Sequence, residues 1–219
     1  MAGGLTKVIG VTLQVSLLAL LFSAIIALPL GTWLGLGRFR GRAALISVVH
    51  TLMGLPPVVA GVMVYLLLTR SGPFGNLDIL FTPTAMVIAQ TLIATPIVAG
   101  LVMSAVSAIN PDLRMQLHAI GATPLQSALA VLREARAGIV VALMAGFGRL
   151  ISEVGAVMLV GGNVEGQTRT LTTAVVLETR QGHFDTAIAL GLVLLGLSFA
   201  ANAGVLWLQR GRSPLAVGA

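Results

Sequence analysis

Long stretches without a charged side chain constrain this chain more than anything else in it. Val8 to Gly37, Ala43 to Thr69, Ile79 to Pro111 and Thr186 to Gln209 contain no Asp, Glu, Lys or Arg. Ala137 to Val164 is interrupted only by Arg149 and Glu153. A helix that crosses the hydrocarbon core of a bilayer needs about 20 apolar residues. The Thr82-Pro83 and Asn110-Pro111 edges trim the third window. The reading is five spans, at residues 8–37, 43–69, 84–109, 137–162 and 186–209. The composition agrees, with 57% hydrophobic and 9% charged residues, where soluble domains carry about 25% charged residues. Too few charges remain to cover a water-facing surface, which excludes a soluble enzyme, a disordered chain and a coiled coil. No ten-residue alternation recurs, which argues against a membrane β-barrel. The expected fold class is an all-α integral membrane protein. Cys is 0, so disulfides, thiolate metal sites and cysteine nucleophiles are excluded.

The net charge of +6 would point to nucleic acid in a soluble protein. Here the basic residues read as topology markers, and no nucleic-acid partner is expected. Arg38, Arg40 and Arg42 follow the first span, Arg114, Arg133 and Arg136 the third, and Arg210 and Arg212 the fifth. Lys7, Arg70, Arg169 and Arg180 fall on the other side. Eight against four places the N-terminus outside and the C-terminus in the cytoplasm. The first window is too long for a cleaved signal peptide and contains Pro29.

The cytoplasmic segment 110–136 reads as two short helices. Asn110-Pro111-Asp112 is a helix start, and Leu113, Leu117 and Ile120 recur at helical spacing. Gly121-Ala122-Thr123-Pro124 breaks that helix and opens a second, with Thr123 as N-cap and Pro124 in the first turn. Leu125, Ala128, Leu129 and Leu132 form its apolar face. Such a pair is either a docking element for another protein or an ordinary amphipathic interfacial loop.

Gln116-Leu-His-Ala-Ile-Gly121-Ala-Thr-Pro124 resembles the cytoplasmic coupling loop of ABC importer permeases. Gly121 matches the glycine of that loop and Val131 its later Ile, while Met115-Gln116-Leu117 replaces Glu-Ala-Ala and Glu134 replaces a Pro. Arg149-Leu-Ile-Ser-Glu153-Val-Gly155-Ala, Gly161-Gly162-Asn163 and Thr168-Arg169-Thr-Leu171-Thr-Thr173 resemble the molybdate and tungstate branch, the tungstate type most closely. Thr12-Leu-Gln-Val-Ser-Leu17 and Leu55-Pro56-Pro57-Val58-Val59 extend the likeness over residues 12–208, read as one type I permease domain.

The resemblance implies a homodimer with a path along its two-fold axis, two cytoplasmic ABC ATPase subunits and an external substrate-binding protein. It implies ATP and Mg on the partner subunit and no cofactor bound by this chain. Coupling falls on Gln116, Ala119, Gly121, Ala122, Thr123 and Pro124. Gly161 to Thr168 comes within one residue of a P-loop, but Gln167 replaces the lysine that would reach the phosphates, and no strand precedes it. The chain is therefore read as a transport subunit and not an enzyme.

Arg149 and Glu153 stand about mid-depth in the fourth span at i, i+4 spacing, on one helix face. Charges at that depth face a partner or a wet cavity. They are either a neutralising pair that locks the bundle or part of the lining of an anion path. Gly161, Gly162, Asn163, Thr168, Arg169, Thr172 and Thr173 are candidates for the outer mouth, where hydroxyls and exposed N–H groups can replace water around an oxyanion. The other reading of this stretch is a re-entrant turn with a helix N-cap. Pro29, Pro56-Pro57 and Pro96 are hinges or static kinks. Gly31-x-x-x-Gly35 permits close helix packing. His50, His118 and His183 form no ligand pair, which weighs against the rival reading of a membrane anchor subunit in a larger complex. The residues leave tungstate, molybdate and sulfate open as substrates.

Overall fold

The computed structural model describes residues 2–210; Arg212, counted with the charges after the fifth span, lies outside them. Ten α-helices follow one another, with no strand among the described residues. They are α1 (Ala2–Leu36), α2 (Arg42–Met53), α3 (Pro57–Leu68), α4 (Pro83–Ser107), α5 (Pro111–Ala119), α6 (Pro124–Glu134), α7 (Arg136–Ile151), α8 (Gly155–Gly161), α9 (Leu171–Arg180) and α10 (Phe184–Arg210). Taken singly, α1, α4 and α10 are long and apolar enough to cross a bilayer.

The second and fourth spans expected from the sequence are not continuous helices. Between α2 and α3 the axis turns by 97°, and between α7 and α8 by 58°. Gly54-Leu55-Pro56-Pro57 explains the first turn. Neither proline can donate a helical hydrogen bond, and Gly54 ends α2. Pro29 and Pro96 lie within unbroken α1 and α4.

The register between helices fixes the number of crossings. Ala19 lies beside Thr91, Gly31 against Ala99 and Gly35 against Val106, so α1 and α4 run in the same direction. The bent pair α2–α3 must therefore return across the whole membrane. Gly138 meets Ala105, Gly146 meets Val98, and Gln90 bonds to the carbonyl of Leu150, so α7 runs antiparallel to α4. With α10 the described residues give up to five crossings, each bent pair being counted as one span.

The core is the contact of α1 with α4. A Cβ placed on Gly31 would lie 2.6 Å from the carbonyl oxygen of Ala99, so only a residue without one lets the two backbones come this close. In a bilayer, association depends on such close packing, because lipid tails are as apolar as leucine. The outward side chains of α10, such as Ile188, Leu192 and Phe199, are exposed on the protomer.

Gly31→Leu is expected to force α1 away from α4 and to remove most folded protein from detergent extracts, read by size-exclusion chromatography. Gly10→Leu on the same helix, with open space around it, should leave the elution profile unchanged.

Candidate functional site

The joint between α7 and α8 gathers most of the residues singled out in the sequence. A helix end leaves carbonyls without intrahelical partners, and in a membrane each must find a donor within the protein. Here side chains reach four of the carbonyls around the break. The hydroxyl of Ser152 donates to the carbonyls of Gly148 (2.9 Å) and Arg149 (3.2 Å). Gln90 Nε2, from α4, donates to Leu150 O at 3.1 Å. Thr172 Oγ1, from the first turn of α9, donates to Glu153 O at 2.9 Å.

The joint also orders the far side. The Ala156 N–H donates to Glu153 Oε1 at 3.1 Å, so this buried carboxylate caps the start of α8. Its other oxygen lies 3.8 Å from Arg149 Nη2. The sequence reading had this pair on one face of one helix at mid-depth. The structure corrects the first point. α7 ends at Ile151 and Glu153 lies beyond it, so the ion pair spans the break. The joint is level with Gln90, seven residues into α4 and ~10 Å from its Pro83 end. The two members also differ in exposure. The Arg149 side chain is 41% exposed on the protomer surface, that of Glu153 only 4%.

Residues 163–185, between the fourth and fifth expected spans, contain the helix α9, whose first turn packs inside the protein. Thr170 and Thr173 form a reciprocal capping box, and the Leu171 N–H donates to Thr12 Oγ1 at 2.9 Å. Thr168 is fully buried; its hydroxyl donates to Gly161 O and accepts from the Val164 N–H. The candidate-mouth hydroxyls of Thr168, Thr172 and Thr173 are thus engaged in the re-entrant turn and its cap. Gly161 packs against Met86, and Gly162 faces the ring of Phe81, whose N–H bonds to Val160 O. Two residues of this stretch keep unmet polar capacity. Asn163 Oδ1 and Arg169 Nε are buried without a partner, although Arg169 Nη1 reaches Glu165 Oε2 at 3.5 Å.

The second group lies apart, at the opposite end of the bundle. α5 and α6 form as expected, and Thr123 caps α6 in a box with Gln126. Gly121, just past α5, has φ +79°, with nothing near its Cβ position. The requirement there is conformational, since a left-handed residue with a side chain costs about 1–2 kcal/mol. The apolar face expected of α6 is largely left open: Leu125 is 70% exposed and neighbouring Ile120 81%, Ala128 and Leu132 are half-buried, and Ser127 and Val131 turn inward. Met115 on α5 is exposed as well. Large apolar side chains left open in this way are a common feature of protein–protein contact surfaces. Gln116 and Ala119 are exposed on α5, as are Thr123 and Pro124 at the start of α6, while Ala122 is half-buried.

Gln90, Ser152, Thr12 and Gln126 were not singled out from the sequence as members of these sites. Gln90 did carry a signal, as an isolated amide in the middle of a charge-free window. The others look like ordinary helix hydroxyls and amides until their partners are known.

Residues 27–214 match the family of binding-protein-dependent transport system inner membrane components, and the chain belongs to that family. It is a membrane-spanning permease subunit of an ABC importer, a transport component that works with ATPase subunits and a substrate-binding protein. This membership decides against the membrane-anchor reading. The chain is 46% identical over 204 residues to a probable anion ABC transporter permease protein of Haloferax volcanii, covering 91% of this chain and 88% of that one. It is 40% identical over 202 residues to the tungstate uptake system permease protein TupB of Peptoclostridium acidaminophilum, covering 92% and 89%. The fold is that of a chain from the inward-facing MetNI methionine ABC transporter, with TM-score 0.72, 23% identity, and 92% and 94% of the two chains covered.

Thr172→Val keeps the shape of the side chain but leaves the carbonyl of Glu153 without a donor. The expected cost is about 1–3 kcal/mol, read as a lower unfolding temperature of the purified protein in detergent. An unchanged temperature would mean that this bond does not hold the joint.

Proposed function

We propose that this permease carries a tetrahedral oxyanion of the tungstate or molybdate type, as a homodimer with its N-termini outside and its C-termini in the cytoplasm. The observation that carries the reading is the half-exposed guanidinium of Arg149 at the α7–α8 joint. A cation inside the membrane has to face protein or water and not lipid. A second copy of the chain placed against this surface would bring two such groups around a shared aqueous path. The similarity to an anion permease and to a tungstate permease supports an anionic cargo.

The charges divide the work. Arg149 attracts the dianion, and the buried carboxylate of Glu153 limits how tightly the anion is held, since conduction needs release as well as entry. Asn163 and Arg169, with their unmet polar atoms, are candidates for the outer part of the path, in the turn that Gly161, Gly162 and Thr168 shape. At the other end the ATPases grip the Met115–Ile120–Leu125 patch, with Gln116, Ala119 and the Gly121–Pro124 turn setting its shape. ATP and Mg bind on those subunits, and their closure is passed through α5 and α6 to the spans.

The test is ATP-driven uptake of tungstate into proteoliposomes holding permease, ATPase and binding protein. Arg149→Ala is expected to lower uptake tenfold or more while the complex still assembles. Undiminished tungstate uptake by this variant would end the reading of Arg149 as part of the path.

A further inference from the structure

A cavity of about 300 Å³ opens at the end of the bundle that carries α5 and α6. It lies among the last turn of α1, the start of α2, the end of α4 and the two short helices. Arg38 and Arg42 line it, with Ser107, Ile109, Pro111 and Val131. The tungstate reading gives this cavity no role.

Its chemistry is that of an anion site. Among the described residues, no carboxylate forms an ion pair with Arg38, Arg40 or Arg42. Asp112 follows the lining residue Pro111 in sequence, but it is exposed and does not line the cavity. Arg42 is half-buried, and its Nε donates to the carbonyl of Leu34 at 2.8 Å, which anchors the side chain at the cavity wall. Ser127 lies one helical turn before Val131 on α6, and its hydroxyl is buried without a partner. Arginine is the side chain best suited to the oxygens of a phosphate group.

The depth narrows the source. Trp33 and Phe39 stack beside the cavity, with ring centroids 4.4 Å apart, and Trp33 is half-exposed. Aromatic side chains of this kind collect at the level of the lipid headgroups. Basic pockets between spans at that level suit anionic headgroups.

We propose that this cavity binds the phosphate group of an anionic membrane lipid and thereby ties the end of α1 to the coupling helices α5 and α6. The proposal does not depend on which substrate the importer carries, because the cavity stands apart from the α7–α8 joint.

The test is native mass spectrometry of the intact permease–ATPase complex. The probes are dioleoyl phosphatidylglycerol, dioleoyl phosphatidylcholine and inorganic phosphate, added separately. Wild type should retain phosphatidylglycerol and not phosphatidylcholine. Arg38→Gln should lower that retention about fivefold. Arg38 is exposed and in no ion pair, so its loss should leave the complex assembled. Arg42→Gln should act in the same direction, and Arg133→Gln, outside the cavity, should have no effect. Retention of inorganic phosphate alone, with the same dependence on Arg38, would support the phosphate site and assign it to a free anion, overturning the lipid as its source. Equal retention of the two lipids, or no effect of Arg38→Gln, would overturn the proposal.

Discussion

The structure depends on how a membrane protein can stop a helix inside the hydrocarbon region. Ending α7 at Ile151 frees carbonyls, and those turned into the protein need donors from it. Side chains from three places supply them: Ser152 from the break itself, Gln90 from α4, and Thr172 from α9. The last two come from elements far away in sequence. The joint can therefore form only once α4 and α9 are in position, and it ties three parts of the bundle together. A buried carboxylate at such a point is tolerable because Glu153 caps α8 and lies near Arg149.

Satisfying the backbone has a functional consequence. Once Glu153 and the threonines are engaged internally, the polar character left on the protomer surface at this depth belongs mainly to Arg149 and the exposed Ser152. In the proposed path, the break turns an otherwise apolar stripe into the place where the anion is met. At the opposite end, the α5–α6 patch exposes apolar side chains where water would otherwise be. The two surfaces differ in kind, one cationic within the membrane and one apolar outside it. The α1–α4 contact, held by Gly31 and Gly35, is the rigid body between them.

Much of this was legible in the sequence. The charge-free windows located the spans because hydrocarbon admits few charges, and Thr123-Pro124 located the start of α6 because capping is local chemistry. Gly31 and Gly35 were visible as a spacing, although only the register of α1 against α4 shows what they touch. The breaks were less legible. Pro56-Pro57 announces one, but nothing in Leu150-Ile-Ser-Glu153 announces the other, since its donors come from Gln90 and Thr172. For the same reason Arg149 and Glu153 look like a pair on one helix face. The start of α9 stays open in the sequence between an outer mouth and a helix N-cap, because its polar residues have partners that the sequence does not show. The apolar face of α6 was legible as a pattern, but apolar periodicity alone cannot say how much of that face stays exposed.

The most direct test of the path uses the absence of native cysteine. Ser152→Cys and Leu192→Cys are compared in proteoliposomes of the assembled importer for labelling by a charged, water-soluble thiol reagent. Ser152 lies exposed at the joint beside Arg149, and Leu192 is exposed in the middle of the apolar helix α10, away from the joint, where the account places lipid. The account predicts rapid labelling at position 152, slowed by tungstate, and none at position 192. Equal lack of labelling at both positions would place the joint against lipid and contradict an aqueous path there.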